Sequence, residues 1–316
     1  MTNDNDYIMR SVKVLCPATV ANMVCGFDIL GMALNSPRDL MQVTLSNKPG
    51  VRICHHDEYG LSEMPEENVA GVALLSLLNA MDNAPGFDVV IDKRIKPGSG
   101  LGSSAASAAG AVVAANHLLN NPFSKEQLVG FAMNGEKLAS GVKHADNIAP
   151  CIYGGITLIR SIFPLDIVEL SAPPLCVTVV HPQIEVKTAD ARQILRKEVQ
   201  LKNAIRQWGN IGGLIAGLMK KDYGLIGRSL EDVIIEPVRS MLIPGFDEVR
   251  KRSGEAGALG GGISGSGPSI FMLSTDENVA RQIEYVMTEV YVNAGIDFKT
   301  YVTTINHEGI KLIEED

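Results

Sequence analysis

Residues 97–107 read Pro-Gly-Ser-Gly-Leu-Gly-Ser-Ser-Ala-Ala-Ser, and the runs on either side fix what this segment can be. Apolar alternation in Phe87-Asp88-Val89-Val90-Ile91 predicts a strand before it, and the alanine-rich stretch from Ser104 to Asn120 predicts a helix after it. The order is therefore strand, glycine-rich loop, helix. Glycines adopt positive φ and let a ligand approach the backbone, and the free N–H groups of the helix start, helped by its dipole, form an anion site. A triphosphate is the natural occupant. No Gly-Lys-Ser/Thr follows the glycines, so this is not a Walker A loop, and a neutralising cation must be Mg²⁺ or come from elsewhere in the chain. Taken alone, the segment could equally be a flexible linker or a tight turn.

The chain has 316 residues, enough for one large domain or two ordinary ones. Its 46% apolar and 20% charged composition is that of a globular protein rather than a disordered one. With 28 Lys and Arg against 36 Asp and Glu, it lacks the positive footprint that broad nucleic-acid binding needs. No apolar run is long enough to span a bilayer, and the acidic start Met-Thr-Asn-Asp-Asn-Asp is wrong for a secretory signal. The five cysteines (Cys16, Cys25, Cys54, Cys151 and Cys176) are scattered, without CxxC spacing, so structural zinc is not expected. They read as small packed hydrophobes in a reduced, cytoplasmic protein.

Strands are expected at Val12–Cys16, Met41–Ser46, Val51–His55, Phe87–Asp92 and Ile156–Ile162, and a helix at Val69–Met81. Pro122 ends the alanine-rich helix; Ser124 with Gln127 forms a capping box for another that runs to about Ser140. Pro164 and Pro173-Pro174 place a domain boundary near 165, giving domains 1–165 and 166–316. Beyond it come a strand Leu175–Val180, helical stretches over roughly 188–230, a helix Gly245–Ala256, a strand Ser269–Leu273, a helix Glu277–Ala294 and a strand Phe298–Thr303. That order fits an α+β chain whose second half is a split β-α-β layer.

Several side chains could carry chemistry, each with an ordinary alternative. Glu136 is either a solvated helix glutamate or a Mg²⁺ partner acting with a hydroxyl such as Ser103 or Ser104. His144, Asp146 and Asn147 could orient a substrate hydroxyl, with Asp146 the nearby candidate base, or could form a self-bonded loop. Asn22 and Asp28 lie among apolar residues; if buried they need partners, and an ammonium would satisfy a carboxylate. Arg192 and Arg239 could fork a carboxylate or simply face water. A second glycine-rich segment, Gly260–Pro268, carries no large side chain apart from Ile263; it either packs against a phosphate or the first glycine loop, or makes a strained turn.

Together, Pro17–Asp28, Pro97–Ser107 and Gly260–Pro268 resemble the three motifs of the GHMP kinases, the family named for galactokinase, homoserine kinase, mevalonate kinase and phosphomevalonate kinase. The motif Pro-x-x-x-Gly-Leu-Gly-Ser-Ser-Ala is highly specific for that family, and the three span nearly the whole chain. The resemblance implies a two-domain fold: an N-terminal domain like domain 2 of ribosomal protein S5, and a C-terminal ferredoxin-like domain. Lys143–Pro150, Ile235–Arg239 and Ile263–Ser269 are similar to the homoserine-kinase branch, for which the implied reaction is ATP-dependent phosphorylation of the side-chain hydroxyl of L-homoserine. Carried over by position, Pro97, Gly98, Ser99, Gly100, Leu101, Gly102, Ser103, Ser104, Ala105, Ala106 and Ser107 would wrap the ATP phosphates, with Asn68 near the nucleotide. Ser104 and Glu136 would hold Mg²⁺. Asn22 and Asp28 would take the substrate ammonium, Arg192 and Arg239 its carboxylate, and His144, Asp146 and Asn147 would surround the hydroxyl. A homodimer is typical of such proteins. A kinase for another small alcohol, or a homologue that binds nucleotide without turnover, are the competing readings. One departure stands out: the family's Ser-Ala-Asn-Leu-Gly-Pro-Gly-Phe-Asp is here Val20-Ala21-Asn22-Met23-Val24-Cys25-Gly26-Phe27-Asp28, which keeps the polar positions and loses the Gly-Pro turn.

Overall fold

A computed structural model describes residues 10–313 apart from residue 187. The acidic residues 1–6 lie outside the described residues. Two sheets organise the chain. The first contains β1 (Ser11–Ala21), β2 (Leu30–Ser46), β3 (Gly50–His55), β4 (Gly86–Asp92), β5 (Ile156–Ile162), β6 (Leu165–Leu170) and β11 (Lys311–Ile313), ordered β11-β1-β2-β4-β3, with β5 on β2 and β6 on β5. Among the described residues only its β3–β4 pair is parallel. Strand β2 runs 17 residues, well beyond the expected Met41–Ser46. Its start pairs with β5 and its end with β4. Because β6 and β11 belong to it, the first sheet reaches past residue 165.

Helices α1 (Val69–Leu78), α2 (Ser103–Leu118), α3 (Lys125–Ser140) and α4 (Ile148–Tyr153) pack with this sheet. α2 buries 13 of its 16 residues, which only small side chains permit: a Cβ on Gly110 would fall 2.4 Å from Cys16 Sγ. α3 opens with the expected capping box. Ser124 Oγ accepts from Gln127 N, and Gln127 Oε1 accepts from Ser124 N.

The second sheet, ordered β10-β7-β9-β8, holds β7 (Cys176–Pro182), β8 (Gly260–Ile263), β9 (Ile270–Ser274) and β10 (Phe298–Thr304), all antiparallel. α9 (Phe246–Glu255) and α10 (Glu277–Ala294) pack with it around Val180, Phe246, Met287 and Tyr291. Between β7 and α9 come α5 (Thr188–Gln193), α6 (Leu201–Lys220), α7 (Tyr223–Ser229) and α8 (Glu236–Arg239). Cys16, Cys25 and Cys151 are buried, Cys176 is half-buried and Cys54 is exposed; all five thiols are free. Among the described residues, no helix is long and apolar enough to cross a membrane.

Candidate active site

The glycine loop joins β4 to α2 with Gly98, Gly100 and Gly102 at φ of 73°, 80° and 69°, the left-handed region that glycine enters without strain. Its carbonyls are tied to the body of the protein. Ser99 O accepts from Ser269 N at 3.2 Å, Gly100 O from Ser264 Oγ at 2.6 Å, and Leu101 O from Thr19 N at 3.1 Å. The amides of Gly98, Gly100 and Gly102 donate to no protein acceptor among the described residues. With the carbonyls held and the first-turn amides of α2 free, the loop is a row of unspent N–H donors. The second glycine segment therefore packs against the first, the alternative that the sequence left open: a Cβ on Gly100 would lie 2.6 Å from Ser264 O.

A cavity of about 480 Å³ opens over the loop, lined by Pro97, Gly98, Ser99, Gly100, Gly102, Ser103, Ser104 and Ser107. Leu101, Ala105 and Ala106 are fully buried in the core instead. Asn68 is spent as the cap of α1, its Oδ1 accepting from Ala70 N and its Nδ2 donating to Ser62 O; its neighbours Leu61 and Val69 line the cavity.

The same cavity is lined by Glu136, His144, Asp146, Asn147, Asn22, Asp28, Arg192 and Arg239. Ser104 Oγ donates to Glu136 Oε2 at 2.8 Å. Burial holds the Glu136 carboxyl above its usual range, against the opposing pull of His144 and the Ser104 hydroxyl. His144 bridges Asp146 Oδ1 at 2.8 Å and Ser140 Oγ at 3.1 Å, with Glu136 Oε1 3.7 Å away. Burial works against its charged form, but the hydrogen bond and charge of Asp146, with Glu136 behind, push the imidazole up to about 9. Asn147 Oδ1 accepts from Thr19 Oγ1 at 2.7 Å, which fixes the amide beside the loop.

Arg192 Nη2 donates to both oxygens of Asp28, at 2.8 and 3.0 Å, so the residues expected at opposite charges of one ligand face each other. The ammonium and carboxylate of an α-amino acid sit on one carbon, so groups that read them must also be neighbours. Among the described residues Arg192 Nε is buried without a partner, and Arg239 lies close enough that burial and the Arg192 charge lower its pKa to about 10. Both guanidiniums stack on Phe27, at 5.4 and 5.0 Å from the ring centroid. Arg239 is held by the carbonyls of Ala191 and Gly265; Asn22 Nδ2 donates to the same Gly265 oxygen, and Asn22 Oδ1 accepts from Asp28 N. Asn22 thus shapes the turn that carries Asp28. In that turn Asn22, Met23 and Val24 all have positive φ (71°, 40° and 65°), and Val24 stands where the family motif has its first glycine. Such strain persists only where packing enforces it, and Met23, Val24 and Cys25 are buried.

Three contributors escaped the sequence reading. Phe27 is one, although its place in Gly26-Phe27-Asp28 was a signal. Lys93 is another: buried at the end of β4, it pairs with Asp39 and donates to Ser103 O and Ser107 Oγ at 2.8 and 3.0 Å, beneath the first turn of α2. Asp39 Oδ1 in turn accepts from the amides of Arg94 and Ile95, so this buried pair is fully bonded. The third is Glu236, whose Oε1 accepts from Ile263 N while Oε2 meets Arg250, tying α8 to the second glycine segment.

Family models for the GHMP kinases N terminal domain and the GHMP kinases C terminal match residues 68–155 and 214–293. The chain belongs to the GHMP kinase family. Within it, the chain is 43% identical to a homoserine kinase of Chloroherpeton thalassium, covering 96% of this chain and 100% of that one. It is 41% identical to the Methanocella arvoryzae homoserine kinase over 98% and 99% of the two chains. The crystal structure of homoserine kinase from Cytophaga hutchinsonii superposes with a TM-score of 0.93 at 48% identity, covering 99% and 100%. The L. major mevalonate kinase structure, at 16% identity and a TM-score of 0.71 over 93% and 95% of the two chains, shares the GHMP kinase fold.

Proposed function

We propose that this chain transfers the γ-phosphoryl group of ATP to the side-chain hydroxyl of L-homoserine, giving O-phospho-L-homoserine, a step toward threonine. The observation that carries the choice of acceptor is the contact of Asp28 with Arg192, with Arg239 alongside, in the cavity of the glycine loop. An amino acid entering there exchanges one ion pair for two, its ammonium on Asp28 and its carboxylate on the arginines.

Phosphoryl transfer needs positioning and charge neutralisation more than covalent help from the protein. The free amides of Gly98, Gly100, Gly102 and the first turn of α2 hold the phosphates, and the charge clamp fixes the hydroxyl toward them. The acceptor oxygen bonds to the γ-phosphorus as the bond to the β-phosphate oxygen breaks. His144, its imidazole pushed up to about 9, spends its two ring nitrogens on Asp146 and Ser140 and so holds the Asp146 carboxylate in place. Asp146 and Asn147 therefore orient first, and in a loose transition state the hydroxyl proton leaves late, to phosphate or solvent. Asp146→Asn should keep activity within about two decades of wild type; a loss of four or more would make Asp146 the base.

Mg²⁺ fits the residues present: Ser104 and Glu136 offer hard oxygen donors, and a cation would offset the burial cost of the carboxylate. When bound, it would neutralise charge on the β- and γ-phosphates. Glu136→Ala should lower turnover and raise the Mg²⁺ requirement; an unchanged metal titration removes Glu136 from the metal site. Five free thiols suit a reducing cytoplasm, and we propose a homodimer as the assembly.

ADP release assayed with homoserine, mevalonate, galactose and shikimate tests the reading. Turnover with homoserine alone is expected. Preference for another alcohol would reassign the clamp, and nucleotide binding without turnover on any alcohol would make the chain a binding homologue.

A further inference from the structure

Asn147 stands at the N-cap position of α4, yet its side chain makes no cap bond. The two amides that such a cap would serve do not need it. Pro150, third in the helix, has no N–H, and the Ala149 amide already donates to Ala145 O at 2.7 Å. Asn147 Oδ1 is thereby free to accept from Thr19 Oγ1. Thr19 is fully buried on β1, just past the register shift that follows Pro17. Its amide donates to Leu101 O, so the residue that grips the glycine loop by main chain grips Asn147 by side chain. Gly102 closes the junction: a Cβ there would lie 2.0 Å from Thr19 Oγ1 and 3.0 Å from Asn147 Oδ1. On the other side Asp146 O is seated on β2, where a Cβ on Gly31 would fall 1.7 Å away.

We propose that Thr19 is a positioning residue for phosphoryl transfer, its hydroxyl turning the Asn147 amide so that Nδ2 faces the acceptor alcohol. The polarity follows from what each group can do. Among the described residues Asn147 is the partner that the Thr19 hydroxyl has, and a buried hydroxyl needs an acceptor for its proton. Within the amide only Oδ1 can accept. Nδ2 donates to no protein acceptor among the described residues, and the side chain lines the cavity, so its N–H groups are left for what enters there. An amide N–H cannot take a proton. Asn147 therefore gives a hydrogen bond to a lone pair of the acceptor oxygen and does not act as its base. A loose transition state tolerates that arrangement, because the nucleophile needs alignment more than deprotonation. Through Thr19 this donor is tied to the backbone of the glycine loop, so one buried residue sets alcohol and phosphate in register. The inference deepens the kinase reading and rests on it.

Thr19→Val keeps the shape of the side chain and removes its hydroxyl. It should lower kcat roughly 30-fold and leave the KM for ATP and for homoserine within about threefold, since neither the loop amides nor the charge clamp touch that oxygen. Thr19→Ser should return kcat to within about threefold of wild type. Adding Thr19→Val to Asn147→Ala should cost no more than about a further twofold, because the hydroxyl acts through the amide. Asn147→Asp, which offers the alcohol an acceptor in place of a donor, should be no more active than Asn147→Ala. That arm changes nothing at Thr19, so it stands even where valine at the buried site weakens the fold. Wild-type kcat in Thr19→Val, additive losses in the double variant, or Thr19→Ser as slow as Thr19→Val each overturn the inference and leave the kinase reading standing. So does Asn147→Asp faster than Asn147→Ala, which would make the residue at 147 a proton acceptor. A wild-type chain that turns over no alcohol overturns both.

Discussion

The two ends of the cavity are built in opposite ways. The proposed phosphate end is one unbroken stretch, 97–107, that presents main chain. The proposed acceptor end is assembled from side chains on four separate stretches: Asn22–Asp28, His144–Asn147, Arg192 and Arg239. Amide donors bind any phosphate and carry no information about the alcohol, so selectivity has to reside in the scattered end. The contrast predicts which lesions should be indiscriminate and which confined to one substrate.

The largest effect should come from the contiguous end. Gly100→Ala places a Cβ 2.6 Å from Ser264 O at a φ of 80°. Displacing that backbone should lower kcat/KM about a hundredfold or more and destabilise the fold by about 1–3 kcal/mol. Steady-state kinetics with ATP varied, together with thermal unfolding, check it; wild-type kinetics would mean the phosphates do not follow this backbone. A narrower loss is expected at the other end. Arg239→Ala should raise the homoserine KM about thirtyfold and leave that for ATP within a few fold. Equal changes in both constants would count against carboxylate binding.

The smallest effect lies at the joint between the ends. Burial, partly offset by Arg250 and the Ile263 amide, raises the Glu236 carboxyl from 4.5 to about 7. The folded chain therefore keeps a proton that the unfolded chain releases, and this stabilisation, full below pH 4.5, is lost as pH rises toward 7. Glu236→Gln should remove that slope. Its unfolding midpoint should gain on wild type across the window and hold a constant difference above it, by on the order of 2 kcal/mol. Parallel pH curves for the two proteins would show that Glu236 does not titrate there.

Local signals carried the phosphate end. The strand, the glycines and the helix are neighbours in sequence, and the Ser124–Gln127 capping box and the helix Glu277–Ala294 formed where their own residues called for them. Long-range pairing hid the rest. The first half of β2 holds Pro37 and an unbroken apolar run, so its strand character comes from β1 and β5 rather than from alternation. Three-residue β11 exists only because β1 offers it an edge. Lys93 read as an ordinary lysine at a strand end until Asp39, 54 positions away, was beside it. Arg192 and Asp28 were both singled out, yet their mutual contact spans 164 positions and leaves no trace in either neighbourhood.

The oxygen of Gly265 accepts from Asn22 and Arg239 alike, and the grip proposed for the glycine loop rests on peptide groups too. A codon change removes a peptide amide only by writing proline, and displaces this backbone where a side chain has no room, as at Gly100. A descendant enzyme can therefore exchange arginines and carboxylates singly, trying new alcohols, while the loop's glycines stay fixed by their own backbone geometry.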